Sequence, residues 1–357
     1  MTEKSSPQKK SGRSESLQVL RGLAFVGIFM GHFNDTGWTP VSVSLFFVLS
    51  GFLLTLKAGD DDTDVTLPGS FKASVKRIFG LYPLHIFLML VMIPLTLIAH
   101  PETETGKLMI NVFCNTFLLQ SLVPSAAVAA SLNSVSWFLS TMLILYTAFP
   151  YMRRAVCRLS KVQALFAGLI ACIIAQSMIV WAVYSFVPDT DVIIALSHCF
   201  PLYRVFDMLC GIFLGRIYLI LGEKISASTV LFSVLEIVSV ASVALLVYVW
   251  ARGNMNIYLS HAPVCPVLAS LLVILFYVKK GIVSKALTVK PLILLGNRSG
   301  SSFLIHFPIL FFIRNFIIPD LTRLRRTIIF LILLPGSFAL TLLISYLYDR
   351  FVKKRLS

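Results

Sequence analysis

Apolar residues along this chain gather into ten long runs that are separated by short polar segments. A helix needs about 20 consecutive apolar residues to cross the hydrocarbon core of a bilayer, and the runs are close to that length. The pattern predicts an all-α fold, a polytopic membrane helix bundle of about ten transmembrane helices. The predicted spans are residues 17–33, 39–56, 78–99, 134–151, 162–187, 200–221, 229–251, 263–278, 291–313 and 327–348.

One further apolar stretch, residues 108–123, is short and contains three side-chain amides. It is interpreted either as an eleventh span or as a helix that lies at the membrane interface. Lysine and arginine concentrate in cytoplasmic loops, and the basic loops of this chain share one side only if 108–123 does not cross. The favoured topology therefore has both termini in the cytoplasm and predicts a multi-pass protein of the cell (inner or plasma) membrane.

The loop at residues 314–326 is an exception to this charge pattern. The ten-span topology places the loop outside the cell, although it is basic. Two explanations stay open: the ninth span is broken, or the loop holds an anionic acceptor. The arginines concerned are Arg314, Arg323, Arg325 and Arg326.

Composition agrees with the membrane interpretation, since 57% of the residues are hydrophobic, only 13% are charged, and the mean hydropathy is +0.86. The net charge of +15 fits loops beside anionic lipid better than a nucleic-acid surface. The six cysteines lack metal-ligand spacing, so no metal is predicted. The predicted organisation is a disordered basic cytoplasmic tail (1–16), a transmembrane domain (17–351) and a cytoplasmic C-terminal tail (352–357).

Arg21 and His32 are ionisable residues inside the first predicted span, where such side chains usually have a function. They lie eleven residues apart, so on a helix they share one face and are separated by about 16 Å. We expect one polar passage that runs from a cation at the cytoplasmic mouth to an imidazole at depth. Asp35 lies three residues after His32 and is positioned to fix its tautomer. The alternative is that Arg21 extends to the interface and His32 only supports packing.

Two further predicted spans also carry ionisable side chains. Arg204 and Asp207 are three residues apart, a spacing typical of a charge pair that neutralises itself. His306 precedes Phe307 and Pro308 in the ninth span. These residues are predicted to support the site rather than to carry the chemistry.

Six sequence blocks then resemble one known family, in its order and at compatible spacing, from Ser16 to about Phe351. The chain resembles the acyltransferase-3 family of membrane O-acyltransferases, and the block SLFFVLSGFLL is similar to its FFxLSGFLL signature. Ser50 and Gly51 belong to that block, and Trp137 belongs to a second one. The other blocks are SLQVLRGLAFVGIFMGHF, KRIFGLYP, SWFLSTMLILYTAFP, PLYRVFDMLCGIFLG and LGNRSGSSFLIHFPIL.

The resemblance implies an enzyme that takes an acyl group, usually acetyl, from cytoplasmic acetyl-CoA. It implies transfer to a hydroxyl of a cell-envelope glycan or of a lipid-linked saccharide. His32 would be the catalytic histidine, and we expect it to act either as a base that deprotonates the acceptor hydroxyl or as a relay that briefly carries the acyl group. Arg21 would lie near the donor path, and Arg77 would be the first arginine of a cytoplasmic R-x-x-R motif. Implied partners are acyl-CoA, the glycan acceptor and membrane lipid.

The chain departs from the family pattern in two blocks. Gly80 replaces the second arginine of the R-x-x-R motif, so Lys72 or Lys76 is expected to help bind the donor. Met142 and Leu143 occupy the positions of a glutamate pair that many members carry. The alternatives to an active acyltransferase are a transporter or flippase of a lipid-linked glycan and a family member that has lost catalysis.

Overall fold

The computed structural model describes residues 7–34, 37–59, 66–222, 228–253, 264–319 and 323–354, which contain helices and no strand. Short helical turns connect the longer helices. The longer helices are α1 (Pro7–Asn34), α2 (Thr39–Ala58), α3 (Leu67–Phe79), α4 (Tyr82–Ala99), α5 (Thr105–Thr116), α6 (Trp137–Cys157), α7 (Val162–Phe186), α8 (Pro201–Leu221), α9 (Thr229–Ala251), α10 (Val264–Val278), α11 (Lys290–Phe312) and α12 (Arg323–Tyr348).

A helix occupies each of the ten predicted spans, so the prediction of a polytopic membrane helix bundle is confirmed. Within the described ranges, 8 helices are long and apolar enough to cross a membrane. Two predicted spans fall outside that group for physical reasons. The helix α8 contains Arg204, Asp207 and Arg216, and the described part of α10 is only 15 residues long.

The first helix begins earlier than the sequence predicts. Residues 7–16 were expected to belong to a disordered tail, but they form the start of α1. The Ser16 hydroxyl is buried and donates a hydrogen bond to the carbonyl of Phe276, at 2.7 Å. This contact ties the start of the first span to α10.

The helices α1 and α2 form the centre of the bundle. In the most apolar window of α2, 67% of the residues are buried, against 17% for α7 and for α9. Exposed large apolar residues cover the outer helices, as expected where a surface faces lipid tails rather than water. Residues of α1 therefore lie deep within the bundle, which suits them for a functional site.

Glycines allow the central helices to approach each other closely. A Cβ on Gly22 of α1 would lie 3.0 Å from the backbone nitrogen of Gly296 on α11, and a Cβ on Gly296 would collide with the carbonyl of Gln18. A Cβ on Gly51 of α2 or Gly211 of α8 would likewise collide with the partner's backbone. Small residues at such crossings are typical of membrane helix packing. The contact of α1 with α11 determines which side chains face each other deeper in the bundle.

The stretch 108–123 makes no net crossing of the bundle and does not lie flat on its surface. The helix α5 begins beyond the end of α4 and runs back along it, so that it ends beside the first turn of α4. There the Tyr82 hydroxyl donates to the Thr116 carbonyl at 2.7 Å, and Nε2 of His85 bonds the Asn115 carbonyl at 2.9 Å. The chain then returns to the face where α5 began, where the Ala127 amide donates to Asp191 at 2.8 Å. This is a re-entrant segment.

Non-helical backbone is tolerated at membrane depth only where protein groups satisfy it. In the re-entrant segment the side chains do so. The Ser140 hydroxyl of α6 donates to the Leu118 carbonyl at 2.6 Å, and the buried Asn115 side chain bonds both Ser131 and Ser136 at 2.9 Å. The polar residues that interrupt this apolar stretch therefore stabilise its turn.

Candidate active site

His32 and His306 form a hydrogen-bonded pair between α1 and α11. The Nδ1 of His32 lies 3.1 Å from the Nε2 of His306, and the ring centroids are 5.2 Å apart. Two neutral imidazoles in this contact share a single N–H, so the tautomer of one ring fixes that of the other. Sequence analysis predicted His306 only as a supporting residue, because the two residues are 274 positions apart.

Aromatic rings enclose this histidine pair. His306 is fully buried, and its ring centroid lies 5.8 Å from that of Phe25, 6.1 Å from Phe29 and 5.9 Å from Phe303. Phe307 packs edge-on against His32, with 5.9 Å between the centroids. Burying a charge among aromatic rings costs free energy, so this setting favours neutral imidazole, the form that can accept a proton.

A cavity of about 410 Å³ lies towards the other end of the same helices. It is lined by Arg21 of α1, Arg77 of α3 and Lys353 after α12. The Arg77 guanidinium stacks on the Tyr146 ring, 5.5 Å from its centroid. Three cations from three separate helical segments converge here. None of the described lining residues is a carboxylate, although Lys353 pairs with Asp349 beside the cavity at 3.7 Å. Such a cluster of cations is suited to phosphate groups.

Residues 14–350 match the family described as "Acyltransferase domain". The chain belongs to this acyltransferase family. A curated relative, "Acyltransferase MdmB" of Streptomyces mycarofaciens, is 31% identical over 153 residues, which cover 42% of this chain and 37% of that relative. The aligned part of the chain thus spans little more than a third of the relative's length. No solved structure matches the chain.

The cavity that Arg21 lines does not extend to His32, so it does not form the single polar passage predicted between these two residues. Arg21 lines the cavity but His32 does not. The cavity ends at Phe46, Phe138 and Phe303, whose rings contact one another at centroid distances of 5.2 to 6.3 Å. Phe303 also packs on His306, so one layer of aromatic rings separates the cations from the histidine pair.

Of the three cations that the sequence assigned to donor binding, the structure places one in the cavity lining and two outside it. Arg77 lines the cavity, whereas Lys72 and Lys76 are exposed on α3 and lie outside its lining. Their exposure follows from the amphipathic character of α3, which turns Ser70, Ser74 and Ile78 inward. The expectation that Lys72 or Lys76 replaces the missing arginine of the family motif therefore receives no support from their positions.

Lys353 occupies the space beside Gly80 instead. A Cβ on Gly80 would lie 3.7 Å from the Cε of Lys353. The Tyr348 hydroxyl donates to the Gly80 carbonyl at 2.9 Å, and the Ser301 hydroxyl donates to Asp349 at 3.1 Å. These bonds hold the end of α12 against α11 and the start of α4, so Lys353 lies beside the position at which the family resemblance implies an arginine. Sequence analysis missed Lys353 because only the fold brings it to this motif.

The Arg204–Asp207 pair is a structural brace. Both side chains are buried, and an Arg204 nitrogen lies 2.9 Å from an Asp207 oxygen. Arg204 also donates to the His198 carbonyl at 2.6 Å, and Gln176 of α7 donates to Asp207 at 3.3 Å. Because the polar partners come from the protein, the pair ties α7 and α8 together and does not line the cavity.

The remaining predicted residues fall into three groups. Ser50 lines the cavity and its hydroxyl donates to the Phe46 carbonyl at 2.8 Å. Trp137 packs on His198, with the ring centroids 5.0 Å apart, and so belongs to the brace, while Gly51 permits the approach of α8. Asp35 lies outside the described residues.

Asn133 is a candidate that sequence analysis did not find. Pro308 has no N–H, so the carbonyl of Leu304 on α11 lacks its helical donor. The buried Asn133 side chain of the re-entrant segment donates to that carbonyl at 3.0 Å. This bond satisfies the turn of α11 that carries His306. An internal proline close to a functional histidine was the available signal, but its partner could not be read from the sequence.

Proposed function

We propose that this protein is a membrane O-acyltransferase of the cell (inner or plasma) membrane. It moves an acyl group, acetyl in the simplest case, from cytoplasmic acyl-CoA to a hydroxyl of a cell-envelope glycan or a lipid-linked saccharide. Membership of the acyltransferase family supports the reaction class. The observation that carries the proposal is the convergence of Arg21, Arg77 and Lys353 on a cavity next to the histidine pair.

The cation-lined cavity is the proposed donor site. Coenzyme A carries a pyrophosphate and a 3′-phosphate, and arginine and lysine are the side chains that bind such groups. Arg21 lines this cavity beside Arg77, which places its guanidinium where it can contact the donor phosphates. The thioester end would then point towards Phe46, Phe138 and Phe303, the layer that lies next to His306.

The histidine pair is the proposed proton acceptor. When Nε2 of His306 accepts the His32 Nδ1–H, Nε2 of His32 is left to accept the proton of the acceptor hydroxyl. The hydroxyl oxygen then attacks the thioester carbonyl, the C–S bond breaks, and the proton leaves His32 with the departing thiolate. The aromatic layer must open for this step, and it excludes water from the thioester while closed.

An acyl-transfer assay on membranes that contain the full chain tests this function. Acetyl-CoA with a radioactive acetyl group is added, and label in the acceptor fraction is measured. His32→Ala is expected to lower transfer by about 10²- to 10⁴-fold, the usual contribution of a general base. The matched control is His100→Ala, because His100 is half-exposed, pairs with Glu102 at 3.5 Å, packs edge-on against Phe311 and does not line the cavity. Transfer by His32→Ala at the rate of the control would reject the proposal, and so would a wild-type chain that transfers no label.

A further inference from the structure

The helix α3 carries three stripes of residues, and within each stripe the residues are four positions apart. Residues with this spacing lie on one side of a helix, and successive positions are rotated by about 100°. The first stripe is buried, the next position in each turn is apolar and exposed, and the position after that is an exposed lysine. The buried stripe is Ser70, Ser74 and Ile78, the apolar stripe is Leu67, Phe71, Val75 and Phe79, and the lysine stripe is Lys72 and Lys76.

This helix lies at one end of the bundle, between the end of α2 at Ala58 and the start of α4 at Tyr82. In the last turn of α6, Arg153 donates to the carbonyl of Gly59 at 2.6 Å, so α2 and α6 end at the same level. The buried stripe of α3 packs beside this last part of α6. The other two stripes therefore face outward at the boundary between the membrane and water.

The apolar stripe is suited to contact with lipid tails. Each of its four residues is 38% to 62% exposed, and two of them are phenylalanines. A contiguous exposed apolar surface of this kind is costly in water and marks a membrane or protein contact. Helices with large apolar residues on one side and lysines beside them lie in the interface of a bilayer. The chain spans the membrane on both sides of α3, so lipid is the surface that the apolar stripe meets.

The lysine stripe adds a preference for negative charge. The helix contains two lysines and Arg77 but no acidic residue. Lys72 and Lys76 are one turn apart, about 6 Å along the axis, so one phosphate can contact both ammonium groups. Lysines close to a membrane surface attract anionic lipids. The two outward stripes thus match the two parts of an anionic phospholipid, its acyl chains and its phosphate.

The lysine stripe is separate from the cation-lined cavity. Arg77 is rotated one further position around α3 and lines the cavity, whereas Lys72 and Lys76 do not. The cations of this helix therefore point to two places, one to the cavity and two to the lipid boundary. This division gives the two lysines a ligand other than the acyl donor.

We propose that α3 binds an anionic phospholipid of the leaflet in which it lies, which is the cytoplasmic leaflet in the favoured topology. The acyl chains lie against the apolar stripe and the phosphate lies between Lys72 and Lys76. The inference is independent of the proposed function, because it involves neither the donor cavity nor the histidine pair.

A tryptophan in the apolar stripe reports which lipid touches α3. The full-length chain with Val75→Trp is placed in phosphatidylcholine vesicles that contain increasing fractions of brominated phosphatidylglycerol, since bromine quenches tryptophan fluorescence on contact. The quenching of the chain without Val75→Trp is subtracted. We expect phosphatidylglycerol to bind at α3 about ten-fold more tightly than phosphatidylcholine at low salt, because each lysine near the surface favours anionic lipid several-fold. Added Lys72→Gln and Lys76→Gln are expected to abolish this preference, and high salt is expected to weaken it.

The matched control combines Lys161→Gln and Lys285→Gln, which remove the same charge from exposed positions outside α3 and are expected to keep the preference. An equal loss in this control would show a general effect of protein charge and overturn the inference. Equal binding of the two lipids by the chain that retains both lysines would overturn it as well. A Kd for acetyl-CoA that rises with Lys72→Gln and Lys76→Gln, at unchanged lipid preference, would assign the lysines to the donor and also overturn it, while the proposed function stands.

Discussion

At the scale of single residues, the site is assembled from side chains that the sequence places far apart. His32 finds its partner 274 positions away, and Lys353 comes to Gly80 from the end of the chain. Arg21 and His32 were predicted because they are ionisable residues on one face of the first span, and Arg77 was predicted because it lies in a block that resembles a family signature. His306 was predicted only as support, and Lys353 was missed. A contact between segments that are far apart in the chain leaves no signal in a short sequence motif.

Lys353 is predicted to replace the missing arginine of the donor site. Lys353→Ala is expected to raise the Kd for acetyl-CoA by about ten-fold, since it removes one of three cations from the cavity. Gly80→Arg added to Lys353→Ala is expected to restore most of the affinity. The backbone permits this exchange, because φ at Gly80 is −64° and a Cβ there meets no backbone atom.

Isothermal titration of the purified full-length chain in nanodiscs measures this affinity. The matched control is Lys76→Ala, because Lys76 is exposed and does not line the cavity. Equal losses for Lys353→Ala and Lys76→Ala would point to general surface charge. Failure of Gly80→Arg to rescue binding would contradict the assignment of Lys353 to that position.

At the scale of helices, the hydrophobic pattern predicted nearly all spans within a few residues of their observed bounds. Long apolar runs are a strong signal because the bilayer allows few other backbone structures. The same pattern left residues 108–123 undecided between a span and an interfacial helix, and the structure shows a re-entrant segment. Its turn depends on His85, Asn115 and Ser140, which lie in different helices. Hydrophobicity alone therefore could not reveal it.

The re-entrant segment is predicted to act on catalysis through α11. Asn133→Ala leaves the Leu304 carbonyl without a donor beside His306 and is expected to lower acyl transfer by about ten-fold at unchanged donor affinity. Pro308→Ala supplies a backbone N–H for that carbonyl, so it is expected to suppress the effect of Asn133→Ala. Acyl transfer and donor binding are measured on the single and double variants. Additive losses in the double variant would contradict this positioning role.

At the scale of the whole molecule, one helix connects the cation-lined cavity to the histidine pair. The helix α11 lines the cation-lined cavity near its start and carries His306 further along. Its close packing against α1 through Gly22 and Gly296 brings His32 to His306. In the proposed function, this arrangement brings a donor bound in the cavity to the aromatic layer beside the histidine pair.

The central claim is that His32 and His306 act as one unit, and a double-mutant cycle on acyl transfer tests it most directly. Rates are measured for the wild type, His32→Ala, His306→Ala and the variant with both changes. Residues that act as a unit have non-additive effects, so we expect each single change to lower the rate by about 10²-fold or more and the double change to lower it little further. Multiplied losses in the double variant, or a His306→Ala rate near that of the wild type, would contradict the account.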